Sequence, residues 1–358
     1  MQTVMLVGMF SKNDDQYTYA SSFARTFYTL GHRVITFNNR YQFLPWFPVR
    51  FTNWLNNYLI NQSLLKQIKK YRPDLLFLIK GENIFPSTLK IIKAQYNPII
   101  INFYPDNPFV VWNGNSTQHL LASLPVYDHF LIWSRMLIPA LQSAGCKNVH
   151  YFPLAFEEEI FNQIPEEIKP QYRSEVCFVG TWEPAREHWL TGLLERLPNL
   201  DLAIWGDLWS KNISPEHILH TKIRGQAVYG EKMLAATQGA DIVLNFIREQ
   251  NATAHNMRTF EVPASGAFLL TQRTHEQAAG LFTEYESIAC FENLDELAAQ
   301  VTFYLHNPDK RKTIAQKAHG VVQQYTLKKQ LSQFLSSLDM KQNFYYNPRE
   351  KGQSRGLE

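Results

Sequence analysis

Short apolar runs alternate with amphipathic stretches along almost the whole chain, and this alternation limits the fold more than any other feature. VMLVGMF precedes YTYASSFARTFYTLGH, and VITF, LLFLIK and IIINF are separated by helix-like segments around WLNNYLINQSLLKQIKKY and TLKIIKAQ. Unbroken apolar runs fit strands covered on both faces, and the stretches between them fit crossover helices, so βα units in a parallel sheet are expected. HFLIW, RMLIPALQSAG and NVHYF complete a first half, with Gly31 and Gly145 placed to end helices. AFEEEIFNQIPEEIKPQYRSE, acidic and proline-containing, interrupts the pattern. It then restarts with EVCFVG, PAREHWLTGLLERL, LDLAIWG, EKMLAATQGA, DIVLNF, a helix running into AFLLT, SIACF, LDELAAQVTFYL and PDKRKTIAQKAHGVVQQY, the last opened by Pro308 and Asp309.

The expected architecture is therefore α/β, with two doubly wound Rossmann-like domains facing a cleft. The first spans 1–157, a crossing segment 158–174 and the second domain 175–326. A C-terminal helix over 327–338 is available to return to the first domain, and 339–358 reads as a flexible polar tail. A chain of 358 residues with 45% hydrophobic content can fill two such cores. Its 35 basic and 32 acidic residues leave a formal charge of +3 and no basic run, which argues against a nucleic-acid partner. Three well-separated cysteines, Cys146, Cys177 and Cys290, have no metal-binding spacing and suit a reducing compartment. With no apolar stretch of about eighteen residues and no basic leader, a cytoplasmic protein is expected.

In such folds ligands bind beyond the carboxyl ends of the strands, so the residues there carry the functional information. Gly8 to Asp15 contain neither GxGxxG nor a Walker lysine motif, which disfavours hydride transfer and P-loop chemistry. NFYPDNPF puts Asp106 at a strand end between prolines, as a candidate base or a turn cap. GTWEPARE offers Gly180 and Thr181 for close backbone approach, Trp182 for stacking, and Arg186 at a helix start facing an anion. Trp209 is a further stacking candidate, and Trp205 reads as core. In HNMRTFEVPASGAFLLT, Glu261 sits among packing residues, where a lone carboxylate is costly. Its partner is either Arg258 at helical spacing or a ligand. His255 is either structural or close to a reacting group.

Residues 40–60 are aromatic and basic. Phe51, Trp54, Leu55, Tyr58 and Leu59 fall at helical spacing and are most simply the core face of a helix. The preceding loop, with Arg40, Phe43, Trp46, Phe47 and Arg50, has the composition of a membrane-surface or acceptor-binding patch.

CFVGTWEPARE, AIWGDLW, VYGEKMLAATQGADIVLN, HNMRTFEVPASGAFLLT, LFTEYESIACFENLDEL and RKTIAQKAHGVVQQYT, in this order, resemble the second domain of GT-B glycosyltransferases, closest to the CgeB-like, spore-maturation branch of the group 1 enzymes. They cover nearly all of 175–326. TLGHRV, PDLLFLIKG and FYPDNP carry a looser likeness in the first domain. The resemblance implies a nucleotide-sugar co-substrate held by the second domain, a UDP-sugar in preference to a GDP-sugar, with no other cofactor, and since no acidic metal motif of the DxD kind appears in the chain, no metal is expected. It implies a glycan, glycolipid or protein acceptor on the first domain. It places ribose hydroxyls on Glu261, and the diphosphate and sugar near Asn256 and Arg258. A second acid, eight residues before Glu261 in many relatives, is Thr253 here, the nearest earlier acid being Glu249, so retention of configuration is not implied. For an inverting reaction Asp106 is the candidate base, with Arg186, Arg258 and backbone N–H groups after Gly180 stabilising the leaving group. A nonhydrolysing sugar-nucleotide epimerase of the same fold and a nucleotide-sugar binding protein without catalysis are the alternatives.

Overall fold

The computed structural model describes residues 1–11, 18–40, 49–111, 116–161 and 168–345. Phe43, Trp46 and Phe47, residues 12–15 of the stretch from Gly8 to Asp15 and the tail beyond 345 lie outside this set. So do residues 162–167 of the crossing segment.

In the first half the chain forms β1 (Thr3–Gly8), α1 (Tyr19–Thr29), β2 (Arg33–Asn38), α2 (Val49–Tyr71), β3 (Leu75–Ile79), α3 (Pro86–Tyr96), β4 (Ile99–Tyr104), α4 (Gln118–Ser123), β5 (His129–Ile132), α5 (Ile138–Ser143), β6 (Val149–Tyr151) and α6 (Glu158–Phe161). The six strands form one parallel sheet in the order β2-β1-β3-β4-β5-β6. Val4 to Val7 and Leu75 to Leu78 are buried throughout, as expected of central strands covered by helices on both faces. Thr18 and Ser21 cap α1 reciprocally, each side chain accepting from the other's backbone N–H at 3.1 and 3.0 Å, which fixes where the helix begins beside the end of β1.

The second half forms β7 (Ser174–Val179), α7 (Pro184–Arg196), β8 (Leu202–Trp205), α8 (Trp209–Asn212), β9 (Ile223–Gly225), α9 (Gly230–Gln238), β10 (Ala240–Asn245), α10 (Arg258–Ala264), β11 (Leu269–Gln272), β12 (Ala289–Phe291), α11 (Leu294–His306), α12 (Pro308–Val322) and α13 (Leu327–Tyr345). Its parallel sheet has the order β12-β11-β10-β7-β8-β9. The strand order reverses between β1 and β3 in one sheet and between β7 and β10 in the other. Crevices at these two points are where such sheets hold ligands. The short edge strand β9 has only three residues and no apolar run, which is why the sequence pattern passes over it.

The two halves share a core. Phe23, Phe103 and Phe152 belong to the same buried cluster as Met233, Ala254 and Phe260. At the crossing, the Phe156 carbonyl accepts from the Leu327 N–H at 2.8 Å, and α13 then runs back along α1. Phe334 places its ring against the edges of His129 and His150 from the first sheet, and Leu331 is fully buried.

One expectation is corrected in α2. Trp54 and Tyr58 are exposed, at 71% and 48%, and the buried stripe is Ile60, Leu64 and Ile68. The C-terminal part of this long helix carries the positions that join the core, and Trp54 and Tyr58 face outward.

Leu331→Ala removes four carbons' worth of contact less one methyl and leaves a cavity that the rigid sheet closes only in part. It is expected to lower stability by about 2–5 kcal/mol, read as a lower urea midpoint at unchanged slope.

Candidate functional site

The carboxyl ends of β1, β3 and β4 meet those of β7 and β10 across the cleft, and two cavities open there. One, of about 340 Å³, is walled by Phe23, Phe103 and Phe156 from the first half and by Met233, Arg258 and Glu261 from the second. The other, of about 480 Å³, is lined by Arg40, Lys80, Glu82 and Asp106, with Arg248 reaching across from the second half. Met9, Thr18 and Tyr19 line both and so form a common wall. The Tyr19 ring meets Phe103 edge-on at 5.6 Å. Burial, with Asp106 and Glu261 nearby, holds its hydroxyl pKa well above the ordinary tyrosine value, so it stays protonated and can donate between the cavities.

Glu261 is buried on α10 and pairs with the Arg258 guanidinium one turn before it; Arg258 also donates through Nε to the Val179 carbonyl at 3.3 Å. The helical-spacing ion pair is therefore present, and both members line the smaller cavity. The ion pair and a ligand contact are compatible: a carboxylate with two oxygens and about four lone-pair sites can hold a guanidinium and still accept from hydroxyls.

Arg186 folds back along the β7–α7 turn, donating through Nη1 to the Thr181 carbonyl at 2.6 Å and lying 3.5 Å from Glu183. Burial pushes its pKa down to about 10; Glu183 opposes this, while Arg248 and Arg258 add to it. Arg248 donates through Nε to Glu183 at 2.7 Å. Three guanidiniums thus converge on the end of β7 and share two carboxylates, Glu183 and Glu261. The local surplus of positive charge suits an anion with several oxygens.

Other expected contributors are committed elsewhere. The Gly180 and Trp182 N–H groups donate to the carbonyls of Trp205 and Asp207 at 2.8 and 2.9 Å, so the expected backbone cradle is used to hold the loops after β7 and β8 together. The approach is close: a Cβ on Gly206 would lie 1.9 Å from the Gly180 carbonyl oxygen. Trp182 donates to Glu187 at 2.7 Å, and Trp209 is fully buried with Nε1 on the Gly180 carbonyl at 2.8 Å, so Trp209 is a core residue and not a stacking platform. Asn256 exchanges side-chain amide bonds with buried Asn245, at 2.8 and 3.1 Å, and receives the Thr259 N–H. It orders the start of α10.

His255 is corrected from a candidate near the reacting sugar to an internal strut. It has no exposed surface, its Nε2 accepts from the Leu154 N–H at 3.1 Å, and the rings of Trp133 and Phe260 pack edge-on against it. Its Nδ1 lies 3.5 Å from Glu276.

Asp106 lies 2.6 Å from Lys80 Nζ. Lys80 follows β3 with a φ of +64°, and Gly81 comes next at +69°, a corner that a lysine adopts only at a cost in strain. Lys80, Tyr19, Arg248 and Glu157 were not legible as site residues. Glu157 is buried at the first cavity and takes a two-pronged Arg25 contact, both bonds 2.9 Å. The readable signal for Lys80 was its place at a strand end before a glycine. Among the described residues no group of three or more His, Cys, Asp or Glu side chains is arranged to hold a metal ion.

Residues 186–336 match the model of a family described as Glycosyl transferase-like. No curated protein matches the sequence. Among solved structures the chain is similar to a sucrose-phosphate synthase from Thermosynechococcus elongatus, with a TM-score of 0.71 at 12% identity over 97% of this chain and 100% of that one. It is also similar to HepE from Anabaena, solved in complex with UDP-glucose, with a TM-score of 0.65 at 12% identity over 95% and 100% of the two chains. A glycosyltransferase from Rickettsia africae aligns with a TM-score of 0.66 at 14% identity over 97% and 99%. At such identities the likeness establishes the fold, which is GT-B.

Proposed function

We propose that this GT-B chain is a glycosyltransferase that moves a sugar from a nucleotide-sugar donor, a UDP-sugar in preference to a GDP-sugar, to a glycan, glycolipid or protein acceptor without a metal ion. The observation that carries the reading is the pair of adjoining cavities, one holding the Arg258–Glu261 pair and the other Asp106, with Tyr19 between them. The family match over 186–336 supports it, since that span includes Arg186, Arg258 and Glu261. HepE, whose complexes hold UDP and UDP-glucose, supports the choice of donor by its fold. The order of the second-half motifs favours the CgeB-like branch.

In this reading Glu261 accepts the ribose hydroxyls, and the three arginines neutralise the diphosphate as it leaves with the electron pair of the broken sugar–oxygen bond. The acceptor hydroxyl forms the new bond and passes its proton to Asp106, which Lys80 holds in place. Tyr19 stays neutral and donates to oxygen at the boundary. The reaction takes place in the cytoplasm, at the inner face of the membrane. Exposed Trp54 and Tyr58 near the start of α2 supply the contact surface, and no helix among the described residues is long and apolar enough to cross a bilayer.

Calorimetric titration with UDP and transfer assays over UDP-, GDP-, dTDP- and CMP-sugars test the proposal; absence of binding and turnover with all of them overturns it. Glu261→Ala is expected to weaken UDP binding by about 1.5–3 kcal/mol, and unchanged affinity would reduce Glu261 to a structural partner of Arg258. Asp106→Asn is expected to leave UDP affinity unchanged and lower turnover about 10²-fold; full turnover in this variant returns Asp106 to its turn. The full chain is expected to sediment with vesicles containing phosphatidylglycerol and to be released by Trp54→Ala with Tyr58→Ala, and equal sedimentation of this double variant would count against the membrane surface.

A further inference from the structure

Two buried acceptors in the larger cavity have unmet hydrogen-bonding capacity. Glu82 is 4% exposed; one carboxylate oxygen takes the Arg40 guanidinium, and the other, Oε2, has no hydrogen-bond partner. Asn39 is 1% exposed and donates through Nδ2 to Asn83 at 2.9 Å, while its Oδ1 is unpartnered. Both residues line the cavity that also holds Asp106. A buried oxygen left without a donor costs about 1–3 kcal/mol, so a fold that keeps two of them beside one cavity stores a preference for whatever supplies donors there.

The charges narrow the choice. Inside the cavity Arg40 pairs with Glu82 and Lys80 with Asp106, while Arg248 is held from outside it by Glu183, which Arg186 shares. A phosphate or carboxylate on the ligand would bring acceptors to acceptors and find those cations engaged. An ammonium would enter beside Lys80 and Arg40. Neutral hydroxyls answer the two oxygens without setting a further carboxylate or phosphate oxygen beside Glu82 and Asp106.

We propose that this cavity selects a neutral, hydroxyl-rich acceptor sugar, and that Glu82 and Asn39 are its specificity-determining residues. The inference rests on the proposed transfer reaction and narrows its acceptor to an uncharged saccharide terminus, whether free or carried on lipid or protein. Glu82 Oε2 and Asn39 Oδ1 accept from hydroxyls that orient the ring, leaving another hydroxyl toward Asp106.

The test is a titration of the full chain with neutral methyl glycosides of glucose, galactose and N-acetylglucosamine, their 6-phosphates and the corresponding methyl uronides, followed by saturation-transfer NMR with and without UDP. Neutral glycosides are expected to bind saturably and the charged forms at least about tenfold more weakly. Glu82→Gln keeps the shape and exchanges an acceptor for a donor, and is expected to weaken neutral glycosides about tenfold while UDP affinity stays unchanged. Equal or tighter binding of the charged forms, no saturable binding of any neutral glycoside, or wild-type glycoside affinity in Glu82→Gln would each overturn the inference. The comparison of neutral with charged ligands on the unaltered protein does not depend on the variant folding. A chain that binds neutral glycosides selectively but not UDP overturns the transfer reaction and upholds the selectivity of the cavity, so the two failures are told apart.

Discussion

The seam where the two sheets are joined governs everything else in this molecule. There the Leu154 amide donates to His255, and because Nε2 accepts, the proton of a neutral imidazole must sit on Nδ1, facing Glu276. The histidine is enclosed by Trp133 from one half and Phe260 from the other. Phe260 is adjacent to Glu261 in α10, so the packing that joins the halves also sets the rotation of the helix carrying the ion pair. The shape of the cleft wall thus follows from an interior contact away from the cleft.

The cleft itself is built from residues whose roles divide by how they are satisfied. Asn256, Trp182 and the N–H groups around Gly180 are bound to protein partners and give the β7 end its shape. Glu261, Arg258, Asp106 and Lys80 are paired with one another in twos and line open space. A charged pair at a cavity keeps each member from the cost of lone burial while leaving lone pairs and N–H groups for a ligand. Arg248 belongs to both sets, since it pairs with Glu183 and reaches the larger cavity.

Much of this was legible beforehand, for reasons particular to each element. Apolar runs such as LLFLI and IIINF fit strands buried on both faces, which is why the two parallel sheets followed from the pattern. Glu261 stood out because a carboxylate between Phe260 and Val262 needs a partner. Trp54 and Tyr58 were misjudged because spacing identifies a stripe but not whether a surface lies under it. His255 was ambiguous for a similar reason: its environment comes from Leu154 and Trp133, over a hundred residues away in sequence. Lys80, Tyr19 and Glu82 were hidden because their significance is spatial, arising where strand ends from β1, β3 and β4 meet.

The chain passes between the halves twice, once after β6 and once between α12 and α13, and the two passages are tied together. Phe156 and Thr326 form a parallel bridge, with the Phe156 N–H on the Tyr325 carbonyl at 3.4 Å and the Leu327 N–H returned to Phe156 at 2.8 Å. Two covalent crossings fastened at a single place act as one double-stranded pivot. Sliding one sheet along the other would shear that bridge. The two crossings are thereby coupled, and a displacement of one half against the other loads both at once.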